Sequence, residues 1–207
     1  MTLCRSAAML VSLVLVPLTV TAAPPPEPTV EYSADSTMET EGGMTMKSRV
    51  YHTPTKQRME MGGADGSVTI IRKDKKVVWQ VMGDMYMEMP LDQSNAPDMG
   101  GFDIQEQTEV GEETVNGLKT TKTKIIATKP DGSKFGGFFW TTKEGVAVKM
   151  DLLSKDGDKK MRMASELTNV KIEKQNPALF EVPAGATKND MGARMGQGGM
   201  PNMEEMM

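Results

Sequence analysis

A two-residue alternation of apolar and polar side chains, broken by turn residues about every eight to twelve positions, does most to constrain what this chain can fold into. Val30–Met38 and Met44–Tyr51 flank Gly42-Gly43, and Gln57–Met61 follows the turn Thr53-Pro54-Thr55-Lys56. Ser67–Arg72 turns at Lys73-Asp74-Lys75 into Lys76–Met82, and Gly83-Asp84 leads into Met85–Met89. Pro90–Asp103, with Asn95, Pro97, Gly100 and Gly101, breaks the rhythm and reads as a loop. Strand patterns resume at Thr108–Val110, Gly117–Thr128, Lys134–Thr142, Val146–Ser154 and Lys159–Ile172, with turns at Pro130-Asp131-Gly132-Ser133, Lys143-Glu144-Gly145 and Lys155-Asp156-Gly157-Asp158. No segment has the periodicity of a long amphipathic helix, and Asn176–Phe180 has room for one helical turn. The pattern predicts a mainly β domain, an antiparallel meander with little helix.

The two ends do not fit that pattern. Arg5 precedes an apolar run, Ala7–Val20, interrupted only by Ser12, Pro17 and Thr19, and Val20-Thr21-Ala22 supplies small residues for a signal peptidase. The run is about 14 residues, short of the roughly 20 that span a bilayer. Residues 1–22 therefore read as a signal peptide cleaved near Ala22, which places the protein in the periplasm. Cys4, the only cysteine, precedes the run and leaves with it, so the mature chain has no disulfide, thiolate metal site or cysteine nucleophile. Residues 23–29, with Pro24-Pro25-Pro26-Glu27-Pro28, read as an extended linker. Residues 188–207 contain no Ile, Leu, Val or aromatic side chain and read as a disordered Met/Gly-rich tail. A single domain, 30–187, lies between them. The formal net charge is −4 with both signs interspersed, which argues against a nucleic-acid partner. Membrane contact is expected to be transient at most, and the protein monomeric.

Catalytic groupings are hard to assemble from what remains. His52 is the only histidine, so the usual zinc sets and histidine triads cannot form within one chain. No phosphate loop or serine elbow is present, and the carboxylates are scattered. The expectation is a non-catalytic protein without a cofactor.

Methionine is the unusual residue, with 21 in the chain. Many stand two apart: Met44 and Met46, Met59 and Met61, Met85 with Met87 and Met89, Met161 and Met163. Such pairs share one face of a strand. Val77, Trp79 and Val81 make a similar stripe, as do Val146, Val148, Met150 and Leu152. Three readings compete: ordinary core, a deformable cavity for a flexible apolar ligand, and soft thioether ligands for copper. The copper candidates are Met191, Met195, Met200, Met203, Met206 and Met207 in the tail. For the cavity, burying Glu88 unpaired is costly, so Met85, Met87 and Met89 should point inward. The same reasoning turns Val77, Trp79 and Val81 inward and Lys76 and Gln80 outward, so the two stripes should form one wall.

Four stretches carry a family resemblance: Val77–Val81 followed by Met85–Pro90; Glu112–Gly117; Phe139–Gly145 with Val148-Lys149-Met150; and Asn176–Gly185, closing on Leu179-Phe180-Glu181-Val182-Pro183-Ala184-Gly185. Through them the chain resembles the exported bacterial domain-of-unknown-function family 4412, related in fold to the outer-membrane lipoprotein carriers of the LolA, LolB and LppX type. The resemblance implies a strongly curved antiparallel sheet, an unclosed half-barrel wrapped around an apolar cavity under one or more short helices. It also implies non-catalytic binding of a lipid, a lipoprotein acyl chain or another apolar ligand. The expected cavity wall is Val77, Trp79, Val81, Met85, Met87, Met89, Val148 and Met150. The alternatives are a soft-metal (copper) or oxidant-buffering protein and, third, an unrecognised hydrolase.

Overall fold

Alternation and turns resolve into twelve strands. In the computed structural model, which describes residues 27–62, 66–93, 103–128, 132–156 and 159–189, these are β1 (Tyr32–Thr40), β2 (Thr45–Thr53), β3 (Lys56–Met61), β4 (Ser67–Arg72), β5 (Val77–Met82) and β6 (Met85–Pro90). After a 3-10 turn, Leu91–Gln93, come β7 (Asp103–Val115), β8 (Leu118–Thr128), β9 (Lys134–Thr141), β10 (Ala147–Asp156) and β11 (Lys159–Ile172). A second 3-10 turn, Pro177–Phe180, precedes β12 (Thr187–Lys188). The signal segment 1–22, the start of the linker and residues 190–207 of the tail lie outside the described residues.

All twelve strands belong to one sheet, in the order β12-β6-β5-β4-β3-β2-β1-β11-β10-β9-β8-β7. Two meanders, β1–β6 and β7–β11, join where β1 pairs with β11. The sheet is antiparallel except for β12, which runs parallel to β6, and it is an unclosed half-barrel, as expected. Gly137 on β9 marks a close approach of strands: a Cβ there would collide with the backbone of Asp151 and Leu152 on β10. Glycine at such a point permits the bend that a curved sheet needs.

Most expected strands sit within two residues of their observed limits. The main difference is β7, expected only at Thr108–Val110. It is an edge strand whose register slips between Ile104 and Glu106 and again between Glu109 and Gly111. Each bulge shifts the side-chain parity by one, which erases the alternation that would have revealed the strand. Two junctions are also ordered. Thr29 donates its backbone N–H to the Glu144 carbonyl at 3.0 Å. Gly145, at φ 87°, lies against the backbone of Glu27 and Pro28, where a side chain would not fit. At the other end Thr187 donates to the Asp84 carbonyl at 2.8 Å and Asn189 to the Tyr86 carbonyl at 2.7 Å, so Lys188 belongs to the sheet.

Three clusters form the core, and they do not share a side of the sheet. Ile125, Ala127, Phe135, Phe139 and Leu152 pack together across β8, β9 and β10. Tyr32, Ala34, Val146, Val148 and Leu167 pack where the two meanders meet. Ile70, Trp79, Val81 and Phe180 form the third cluster under the C-terminal segment.

Candidate functional site

Residues opposite one another in an antiparallel register project to the same face, so the pairing carries each face across the whole sheet. One row runs Tyr32, His52, Gln57, Ile71, Val78, Met89. The next runs Ala34, Val50, Met59, Thr69, Gln80, Met87. Across β1 the same face continues through Ser36 to Leu167, and through Met163, Leu152 and Gly137 to Ile125.

Along β1 to β6, β8 from Thr121, β9, β10 from Val148 to Ser154 and β11 from Met161 to Leu167, this face bears no Asp, Glu, Lys or Arg. Among the described side chains of the strands, charge reaches it at the rim, through Glu109 and Glu112 on edge strand β7 and Lys119 near the β7–β8 turn. Every methionine within these strands lies on it: Met38, Met46, Met59, Met61, Met82, Met85, Met87 and Met89 in one meander, Met150, Met161 and Met163 in the other. None of them belongs to the buried core, and Met85 keeps 46% of its surface exposed.

Thr69, Gln80 and His52 on this face have hydrogen-bond partners. Thr69 Oγ1 donates to Gln80 Oε1 at 2.8 Å. His52 stacks on Tyr32 with centroids 5.0 Å apart, and its Nδ1 lies 3.3 Å from the Val30 carbonyl. Burial lowers the His52 pKa below the usual histidine value and raises the Tyr32 phenol to about 12. At the β7–β9 end a cleft of about 270 Å³ is bounded by Gln107, Thr121, Thr123, Ile125, Phe139 and Thr141 of this face, with Thr142 and Lys143.

The opposite face carries the charges. Arg49 pairs with Asp35 at 2.8 Å and Arg162 with Asp151 at 2.9 Å. Each tryptophan gives its indole N–H to a carboxylate: Trp79 to Glu88 at 2.8 Å and Trp140 to Glu113 at 2.6 Å. Those bonds, with Lys188 beside Glu88 and Lys122 beside Glu113, hold both carboxyls below the usual range. The apolar part of this face, around Ile70, Trp79 and Val81, is covered by the C-terminal segment, whose Phe180 is 1% exposed. Arg72 fastens that segment: its guanidinium grips Asp74 through two bonds and also donates to the Phe180 carbonyl at 3.0 Å and Glu181 at 2.6 Å. Arg58 adds a bond to the Leu179 carbonyl at 3.0 Å. Asn176 Oδ1 caps the 3-10 turn through the Ala178 N–H.

The expected wall is therefore corrected. Met85, Met87, Met89 and Met150 lie on the uncharged face. Val148 is wholly buried at the β10 bulge, packed with Tyr32 and Ala34. Val77, Trp79 and Val81 project to the charged face, with Tyr86 and Glu88 opposite them. The cause is the two-residue turn Gly83-Asp84, which pairs Met82 with Met85 and so sets odd residues of β5 against even residues of β6. Met87 consequently faces Gln80, and Glu88 faces Trp79. The methionines of β1–β3 and Met82 also lie on this face, outside the expected wall, and the two-apart spacing of Met59 and Met61 is the sequence signal for them. Among the described residues no group of three or more His, Cys, Asp or Glu could hold a metal ion. The six tail methionines fall outside the described residues.

The crystal structure of MucB superposes with a TM-score of 0.51 at 11% identity, covering 78% of this chain and 60% of that one. The fold is shared. A complex of Pseudomonas aeruginosa MucA and MucB gives 0.49 at 11% identity, over 76% of this chain and 57% of that one. The Mycobacterium tuberculosis lipoprotein LppX gives 0.40 at 12% identity, over 70% and 88%. This chain spans about 60% of the length of MucB. No family model and no curated protein matches the sequence.

Proposed function

We propose that this protein is a non-catalytic periplasmic binding protein that holds an acyl chain, of a lipid or of a lipoprotein, against its uncharged face. One observation carries the reading: a face that runs across both meanders excludes charge from all but its rim, while half-exposed methionines crowd it. Exposed surfaces of soluble proteins ordinarily mix charge with apolar groups, and a wide uncharged patch marks a site of apolar contact. Thioether side chains are unbranched and polarizable, so they conform to a flexible hydrocarbon without a fixed cavity shape. The half-barrel gives that face curvature, and the resemblance to domain-of-unknown-function family 4412 points the same way. The N-terminal signal pattern is the basis for the periplasmic assignment.

The test is binding of a fluorescent fatty-acid analogue to the purified mature protein. Met87→Asp puts a carboxylate on the uncharged face and should weaken binding about tenfold or more. Leu153→Asp makes the same change at a 48%-exposed position on the charged face and should leave binding unchanged. Absence of probe binding by the wild type, or equal loss in both variants, overturns the proposal.

A further inference from the structure

Methionine is distributed in this molecule in a way that packing alone does not require. The three buried clusters are built from Val, Ile, Leu, Ala and aromatic residues, and no methionine is among their buried members. The strand methionines stand instead on the half-exposed uncharged face, where Met82 and Met85, direct cross-strand partners, are 44% and 46% exposed. Met87 and Met89 extend that patch along β6. No cysteine exists in the described strands to react first.

We infer that this patch is a site of methionine sulfoxidation, and that its modification releases the apolar ligand while leaving the fold intact. The inference rests on the binding reading above. The co-reactant is a two-electron oxidant of the peroxide class. A thioether lone pair attacks one peroxide oxygen, an S–O bond forms and the O–O bond breaks. The departing hydroxide takes the proton left on the sulfur-bound oxygen and becomes water, so sulfur loses two electrons and the peroxide gains them. The product sulfoxide is polar and chiral. On this face it replaces an apolar contact with a strong hydrogen-bond acceptor that a hydrocarbon chain cannot satisfy. Met150 and Met163 pack against the Ile125–Phe139 cluster, but Met82, Met85, Met87 and Met89 pack against none of the three clusters, so oxygen added at these four leaves the buried packing untouched, which separates loss of binding from loss of fold.

Graded hydrogen peroxide treatment of the full mature protein tests this, with peptide mass spectrometry to map the added oxygen, thermal unfolding to follow the fold, and the fluorescent fatty-acid analogue to follow binding. The expected result is oxygen on Met82, Met85, Met87 and Met89, a preserved cooperative unfolding transition, and probe affinity lowered about tenfold or more. The triple variant Met85→Leu, Met87→Leu and Met89→Leu should keep most of its own untreated affinity after treatment, whatever the value from which it starts. Oxidation that unfolds the protein, oxygen confined to other methionines, or equal peroxide sensitivity in the triple variant overturns the inference. If the reduced wild type does not bind the probe, the acyl-chain reading and the release mechanism fail. The oxygen map and the unfolding transition then decide the sulfoxidation site alone.

Discussion

Trp79 stands directly across from Glu88, and its indole N–H donates to that carboxylate while Lys75 lies 5.1 Å from the ring centroid. Trp79→Phe keeps the ring in the core and removes the donor. The loss expected for one hydrogen bond to a charged group with a partly solvated carboxylate is about 1 kcal/mol, and the Glu88 pKa should rise toward its ordinary value. Urea unfolding and a carboxyl NMR titration measure the two effects. His52 makes a different residue-level prediction. Its desolvated ring has a lowered pKa, so below pH 6.5, the ordinary histidine value, the unfolded chain binds a proton that the folded chain resists. The sign follows: this contribution is complete above that pH and is lost as the pH falls below it. Stability measured from pH 7 to pH 5 should decline in the wild type and stay flatter in His52→Gln; equal slopes would sink the assignment.

Among the elements, the C-terminal segment has the clearest mechanical task. Leu179-Phe180-Glu181-Val182 was the strongest family-like stretch in the sequence, and its role is structural: Phe180 plugs the cluster over Ile70 and Trp79, and Arg72 and Arg58 hold its backbone. Phe180→Ala should cost about 3–5 kcal/mol, as for other fully buried phenylalanines, without altering probe affinity, because the segment lies on the face away from the methionines. Denaturant unfolding and probe titration on one variant would show whether the two faces are energetically separate. The hairpin β5–β6 shows how far the sequence was legible. Strand existence, turn positions and the inward run Met85, Met87, Met89 follow from spacing. The partnership with Val77, Trp79 and Val81 does not, because alternation within one strand leaves its parity relative to the next strand open. Turn length fixes parity between strands, and Gly83-Asp84 as a two-residue turn already required odd to face even. What sequence alone could not supply was the β1–β11 pairing. That long-range contact makes the Met59–Met61 and Met161–Met163 stripes parts of one surface.

At the scale of the whole molecule, the sheet uses both faces for packing but divides their chemistry. Charge, both Trp–carboxylate bonds and the C-terminal cover occupy one side; thioethers and small hydroxyl groups occupy the other. Such a division needs protected edges, since an open strand on a broad apolar sheet invites pairing with another copy. At one edge β7 carries two bulges and the acids Asp103, Glu106, Glu109, Glu112 and Glu113. At the other, β12 covers β6 through the Thr187 and Asn189 backbone bonds and the Lys188–Glu88 ion pair at 2.9 Å. Two truncations separate this edge from the tail. Ending the chain after Asn189 removes only a segment lacking Ile, Leu, Val and aromatic residues, so the unfolding free energy and probe affinity should match the full mature protein. Any Cu(I) binding by the tail methionines would disappear while the fold persists. Ending it after Ala186 uncovers β6, with Met85, Met87 and Met89 on the strand now at the edge. That chain should lose about 1–3 kcal/mol, the scale of a few backbone hydrogen bonds, and should self-associate with rising concentration. Analytical ultracentrifugation and urea unfolding of both chains check this. A monomeric, fully stable shorter chain would show that β12 does not guard the edge.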